Sequence, residues 1–174
     1  IDLIVNKIYN RKFDDEGKLS SKGTINKKFL NTILADDYFY KSYPKSLDNI
    51  YFNHFLHEDK IKNINGKDLL ATLCELTALS ISNSISKLPK KPNSIVFSGG
   101  GVNNLFLMSR LRKKIKVQNV NIKKKGFDPN FIESQLIAYL SARSFNNLPI
   151  TFPDTTGVRK PMCGGKLFTP KEIH

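Results

Sequence analysis

Ser94-Ile95-Val96-Phe97-Ser98-Gly99-Gly100-Gly101-Val102-Asn103-Asn104-Leu105-Phe106-Leu107-Met108 decides how this chain reads. An apolar run, three glycines and the start of a helical pattern follow one another without interruption. Ile95, Val96 and Phe97 predict a short strand covered on both faces. Consecutive glycines let the backbone take positive φ and bring peptide N–H groups close to a ligand. A helix starting at Asn103 or Asn104, with Asn as its N-cap, turns its positive dipole end and unpaired N–H groups toward the same spot. The same turn can equally pass the chain from strand to helix with no ligand, since glycine-rich turns are common. It is neither a G-x-G-x-x-G fingerprint nor a P-loop, because no Gly-Lys-Ser/Thr follows.

Downstream, Leu105, Leu107, Met108 and Leu111 mark a helix ending near Lys116. Its basic end, Arg110, Arg112, Lys113, Lys114 and Lys116, suits the helix dipole. Val117 to Ile122 reads as a second strand, and Lys123 to Asn130 as a loop. Phe131 to Phe145 reads as a helix with Ile132, Leu136, Ile137, Leu140 and Phe145 facing inward. Glu133 falls in its first turn, where the dipole favours a carboxylate. The tail from Leu148 to His174 carries Pro149, Pro153, Pro161 and Pro170 and is expected to be largely extended.

Upstream, Gly66-Lys67-Asp68 opens the longest helical pattern, with Leu69, Leu70, Leu73, Leu76, Thr77, Ser80 and Ile81 at three- and four-residue spacings. Glu75, inside it, reads as solvated or capping. Residues 1–10 form an apolar helix with Ile1, Ile4, Val5 and Ile8 on one face. Thr24 to Ala35 forms another, burying Ile25, Phe29, Ile33 and Leu34. Phe13-Asp14-Asp15-Glu16-Gly17-Lys18 reads as a surface turn, lacking the ligand alternation of an EF-hand. Lys45 and Ser46 stand in a solvated loop or offer a cation and a hydroxyl to a phosphate or sugar. His54 and His57 are three apart with no third ligand nearby, which argues against a metal site.

At 174 residues the chain fits one domain. No apolar run reads as long enough to span a membrane, and no signal-peptide pattern is present. The chain starts without Met and directly in an apolar pattern, which reads as a truncated or split protein. Cys74 and Cys163 lack metal-ligand spacing, so a reduced, cytoplasmic protein is expected. The formal net charge of +13 invites nucleic acid. However, the lysines are scattered and no aromatics alternate with them, so specific nucleic-acid binding is not expected. A Lys, Asn and Ile bias of this kind is what AT-rich coding imposes.

Five stretches together resemble the anhydro-N-acetylmuramic acid kinase family, within the actin-like ATPase and sugar-kinase superfamily. They are Phe13-Asp14-Asp15-Glu16-Gly17 with Gly23, and Asp37-Tyr38-Phe39 with Pro44-Lys45-Ser46 and Tyr51-Phe52-Asn53. The third is Asp68-Leu69-Leu70-Ala71-Thr72-Leu73 with Leu76-Thr77-Ala78, and the fourth Gly99-Gly100-Gly101 with Asn104 and Leu107-Met108. The last is Ile132-Glu133 with Ala138-Tyr139-Leu140, then Leu148-Pro149 and Thr156-Gly157.

The resemblance implies an α/β fold, a small sheet flanked by helices: the C-terminal, ATP-side lobe of a two-lobed kinase over residues 1–174. It implies ATP and Mg as cofactors and anhydro-N-acetylmuramic acid as substrate. The reaction opens the anhydro bridge and forms N-acetylmuramic acid six-phosphate in murein recycling. Gly99, Gly100, Gly101, Asn103 and Asn104 are the implied nucleotide-binding residues, and Glu133, Lys45 and Ser46 the implied substrate-binding ones. No catalytic residue is expected within the chain. The family's phosphate loop and catalytic aspartate belong to an N-terminal half, which becomes a required partner; a homodimer is a further possibility.

The chain departs from the family pattern at Leu47-Asp48-Asn49-Ile50, where a Thr-Gly-Arg-Glu segment is replaced, and at Asp128-Pro129-Asn130-Phe131, where two acidic positions are lost. Those departures keep a second reading open: a non-catalytic remnant with at most weak nucleotide binding.

Overall fold

The computed structural model describes residues 1–48 and 50–168. Asn49 of the altered 47–50 loop and the end of the proline-bearing tail therefore lie outside the described residues. Helix α1 (Asp2–Tyr9) buries Ile4 and Val5. Ile8, expected on the same face, stays exposed because the helix ends one residue later. Helix α2 (Lys27–Leu34) starts where Asn26 accepts a hydrogen bond from the Phe29 N–H at 3.0 Å. It buries Phe29, Leu30 and Ile33. The single turn α3 (Glu58–Ile61) adds Ile61 to the same cluster.

Helix α4 (Gly66–Ser86) is the pillar of the fold. Leu69, Leu70, Ala71, Thr72, Leu73 and Cys74 are all buried, because this helix has a core on two sides. On one side Leu69, Leu70 and Leu73 join Ile4, Val5, Phe29 and Ile33. On the other, Cys74 and Ala78 meet Leu107, Met108 and Leu111. A helix that is apolar all round is a buried one. This also corrects the expectation about membrane spans: among the described residues α4 is long and apolar enough to cross a membrane. Here that apolar length serves the two cores.

Beyond α4 the chain forms β1 (Ser94–Ile95), the glycine turn, α5 (Leu105–Lys114) and β2 (Gln118–Asn119). The strands pair in parallel, Ser94 with Gln118 and Ile95 with Asn119. The Val120 N–H extends the pairing to the Ile95 carbonyl at 2.8 Å. The fold class is thus α/β with a small two-stranded parallel sheet. Both strands are shorter than expected, and the residues after β2 turn into a single 3-10 turn over Ile122–Lys125. The expectation that the first strand is covered on both faces fails. Ile95 and Phe97 pack inward against the α5 cluster, while Val96 between them is 47% exposed. Period-two alternation sends Val96 to the opposite, half-exposed face.

Helix α6 (Ile132–Phe145) was expected to turn five apolar residues inward, yet it contains no buried residue. Ile137 is 62% exposed and Phe145 73%. Its apolar side chains are spread around the axis, as in a helix surrounded by neighbours, but this chain covers little of it. Among the bonds that hold the tail to it, Arg143 Nε donates to the Pro149 carbonyl at 2.6 Å, the Leu148 N–H donates to the Arg143 carbonyl at 2.8 Å, and the Ser144 hydroxyl donates to the Gly164 carbonyl. Helix α7 (Pro153–Thr156) and an antiparallel bridge from Thr151 to Met162 replace the expected extended tail. A cavity of about 910 Å³ lies between α6 and residues 164–167, and is lined mainly by apolar groups such as Ile137, Leu140 and Phe145.

Candidate nucleotide cleft at the glycine turn

The turn is built by backbone conformation. Gly99 has φ 83°, a conformation glycine adopts without a Cβ penalty, and its N–H donates to the Pro129 carbonyl at 3.0 Å. The next residues close a 3-10 turn: the Val102 N–H reaches the Gly99 carbonyl at 3.2 Å, and the Asn104 N–H the Gly101 carbonyl at 3.1 Å. Asn104 then caps α5, its Oδ1 accepting from the Leu107 N–H at 2.9 Å. Asn103 donates through Nδ2 to Oδ1 of Asn130 at 3.3 Å, tying the turn to the loop before α6. Among the described residues, the N–H groups of Gly100 and Gly101 have no acceptor. Of the five residues expected to face a nucleotide, two therefore keep free backbone donors, and Asn104 is used in building the turn.

A Cβ placed on Gly100 meets no protein atom within 4 Å, and one on Gly101 only Leu107 at 3.7 Å. Packing does not require glycine at either position. Both line a cleft of about 480 Å³, a size suited to a small ligand. The facing wall is the Phe13–Glu16 segment, with Asp2 and Thr77 at the sides.

That wall corrects the reading of the acidic loop as a surface turn. Asp14 is buried and accepts from the Leu19 and Ser20 N–H groups at 2.8 and 2.9 Å, which folds the loop back on itself. Gly17, with φ 75°, lies so close to α5 that a Cβ there would collide with Oδ1 of Asn104. The acidic loop and the capped helix start are thus packed into one unit.

Glu133, in the first turn of α6, sits beside the same turn. Its Oε1 is 3.2 Å from where a Cβ on Gly99 would stand. The structure brings Glu133 to Gly99, Gly100, Gly101, Asn103 and Asn104, but not Lys45 or Ser46. Lys45 lines a separate cavity with Tyr38 and Lys87. Ser46 is exposed and its side chain has no hydrogen-bond partner among the described residues.

The cleft's charge is one-sided. Asp2, Asp14, Asp15 and Glu16 line it, and no Lys or Arg does. Lys18 is held outside, on Asp15 at 2.6 Å and Glu16 at 3.1 Å. Two free N–H groups and a wall of carboxylates suit the hydroxyl-bearing, uncharged end of a ligand better than a chain of bare phosphates. Among the described residues no group of three or more His, Cys, Asp or Glu side chains is placed to hold a metal ion.

The sequence model of the family described as anhydro-N-acetylmuramic acid kinase matches residues 1–170. The chain belongs to the anhydro-N-acetylmuramic acid kinase family. Among curated relatives of that name, one from Methylorubrum populi is 33% identical over 92% of this chain and 41% of its own length. One from Mesorhizobium japonicum is 34% identical over 88% of this chain and 40% of its own. One from Rhodopseudomonas palustris is 34% identical over 98% and 46%. The chain spans less than half the length of each of these relatives.

Several residues of the kinase-like pattern have structural work. Asp68 accepts from the Thr24 N–H at 2.7 Å, and Thr72 Oγ1 accepts from the Asn26 N–H at 2.9 Å. Together they fasten the start of α2 to α4. Gly23 is glycine because a Cβ would strike the Lys67 carbonyl.

One group escaped the sequence reading. Glu75, 6% exposed, is neither solvated nor capping; its Oε2 lies 2.5 Å from Arg110 Nε and its Oε1 2.6 Å from Lys114 Nζ. Burial pushes the carboxyl's pKa up, but the hydrogen bonds from Arg110 and Lys114 outweigh it and hold it below the usual glutamate value. Arg110 and Lys114 are four apart, on one face of α5. That spacing, with a single acid in the apolar middle of α4, was the available signal.

Proposed function

We propose that this chain is the nucleotide-side lobe of a kinase acting on anhydro-N-acetylmuramic acid. The lobe would belong to the actin-like ATPase and sugar-kinase architecture. The observation that carries this reading is the free space and free N–H groups at Gly100 and Gly101, beside Glu133, in a chain of this family. The adenosine and α-phosphate end of ATP lies against Gly99, Gly100 and Gly101, and Glu133 faces the sugar. ATP supplies the phosphoryl group that reaches the sugar hydroxyl freed when water opens the anhydro bridge. Because no Lys or Arg lines the cleft, the phosphates and Mg rest mainly on the part of the kinase outside this chain. The phosphate loop and catalytic aspartate are assigned to that part as well, since phosphoryl transfer is chiefly positioning and charge stabilisation within one closed cleft.

The bare faces of α6 and Val96 support a docking role for the same absent part. The chain alone is expected to self-associate at micromolar concentration, read as a weight-average mass above the monomer in light scattering, and Ile137→Glu is expected to reduce it. A clean monomer that Ile137→Glu leaves unchanged would count against this surface being built for cover.

The reading is tested by supplying the missing part from the Rhodopseudomonas palustris relative and assaying sugar phosphorylation. Glu133→Gln is expected to lower turnover about tenfold or more, the loss of one hydrogen bond from a charged group to the sugar. It is exposed, so the melting temperature should hardly move. Unchanged turnover would reduce Glu133 to a helix-dipole residue. No activity in the wild-type assembly would favour the remnant reading, which the replaced Leu47–Ile50 segment supports.

A further inference from the structure

Lys41, Lys45 and Lys87 line one cavity, and among the described residues none of them forms an ion pair. Lys45 Nζ donates to the Tyr38 carbonyl at 3.0 Å, and Lys87 Nζ donates to the Phe39 carbonyl at 2.7 Å. Adjacent carbonyls thus hold two ammonium groups close together. Lys45 also lies 4.3 Å from the centre of the Tyr38 ring, which fixes its position further. Burial and the Lys87 charge both push the Lys45 pKa down, as expected of cations confined together. Among the described residues neither forms an ion pair. Both line a cavity of about 320 Å³, with Lys41 also on its wall and Asp154 as its one acidic residue. Three cations against one carboxylate leave two positive charges, matching a phosphate dianion in magnitude.

We propose that this cavity, between the loop after α2 and the C-terminal end of α4, is a second anion site that binds a phosphate dianion, free or as a small phosphomonoester, through Lys45 and Lys87. It is separate from the glycine cleft. Thr77 of α4 lines that cleft, whereas Lys87 follows the helix's last residue, about 15 Å further along at 1.5 Å per residue. An anion would relieve the repulsion between the two ammonium groups and form charge-assisted hydrogen bonds with both. Ammonium groups suit such a ligand as compact point charges. The site does not depend on the nucleotide reading.

The test is broadening of the ³¹P signal of inorganic phosphate by the full chain, at ionic strength matched with chloride. Wild type is expected to bind, and Lys87→Met to weaken binding at least tenfold. Lys87 also bonds the Phe39 carbonyl, so Asp154→Asn serves as a second variant of opposite sign, expected to tighten binding several-fold. Glucose 6-phosphate in place of phosphate separates the two sources: tighter binding identifies an ester, equal binding the free ion. Gly100→Val should leave the phosphate signal as in wild type. Phosphate binding lost in Gly100→Val, or unchanged in both Lys87→Met and Asp154→Asn, would overturn the proposal, as would no binding by wild type.

Discussion

Replacing Glu75 with Ala is expected to cost about 2–3 kcal/mol of stability, equivalent to roughly 4–12 °C in melting temperature for a chain of this size. The carboxylate is the hinge of a three-charge cluster: its side chain is 8% exposed, against 22% for Arg110 and 19% for Lys114. Breaking a fully buried pair costs about 3–5 kcal/mol, because the remaining charge is stranded. Here the two cations can partly reach water, so the smaller range applies. The same cluster gives a pH dependence. Glu75 has a lowered pKa in the fold, so its contribution is present above the unfolded glutamate value of about 4.3 and is lost as pH falls through the folded value. Urea titrations near neutral pH and at pH 3 should therefore show the Glu75→Ala deficit shrinking in acid. A deficit below about 0.5 kcal/mol at neutral pH would mean the cluster behaves like a surface pair.

This cluster matters for the cleft. Arg110 and Lys114 lie on α5, whose start Asn104 caps and whose preceding turn carries the free N–H groups. Glu75 therefore helps hold the glycine turn in place on α4. Loosening it is expected to blur the turn's geometry as well as lower stability.

Where the sequence pattern had a partner within the chain, it was legible. Leu69, Leu70 and Leu73 were readable as core, and Asn103 or Asn104 as the cap that starts α5, because apolar spacing and capping are local signals; the structure selects Asn104. The readings that failed share a cause. Val96 and α6 look buried in sequence and are exposed in the structure, since an apolar pattern reports that a surface wants cover, not which chain supplies it. In the Phe13–Lys18 turn, Asp15 and Glu16 are exposed as a surface turn predicts, whereas buried Asp14 satisfies two backbone N–H groups across the loop, a pairing no spacing rule exposes. The glycines were readable as a cradle or as a turn. The free donors of Gly100 and Gly101 and the open space over Gly100 favour the cradle. The resemblance groups Lys45 and Ser46 with Glu133 as substrate-binding residues, and the fold places Lys45 in a cavity that Glu133 does not line.

The second large effect concerns the cleft itself. Gly100→Val should reduce the affinity of a non-hydrolysable ATP analogue at least tenfold, about 1.4 kcal/mol. Gly100 is not among the positive-φ glycines, and a Cβ there meets nothing, so the backbone tolerates the side chain. The valine methyl groups would project into the cleft and hold the ligand off the N–H groups of Gly100 and Gly101. The loss should appear in affinity with little change in melting temperature, which separates a blocked site from a damaged fold.

Titration calorimetry of the ATP analogue against wild type and Gly100→Val, each alone and with the complementary part of a full-length relative, tests this most directly. The nucleotide-side lobe predicts binding by wild type, tighter when paired, and a loss of at least tenfold in the variant. Equal affinity for both proteins, or no binding by wild type even when paired, would contradict it.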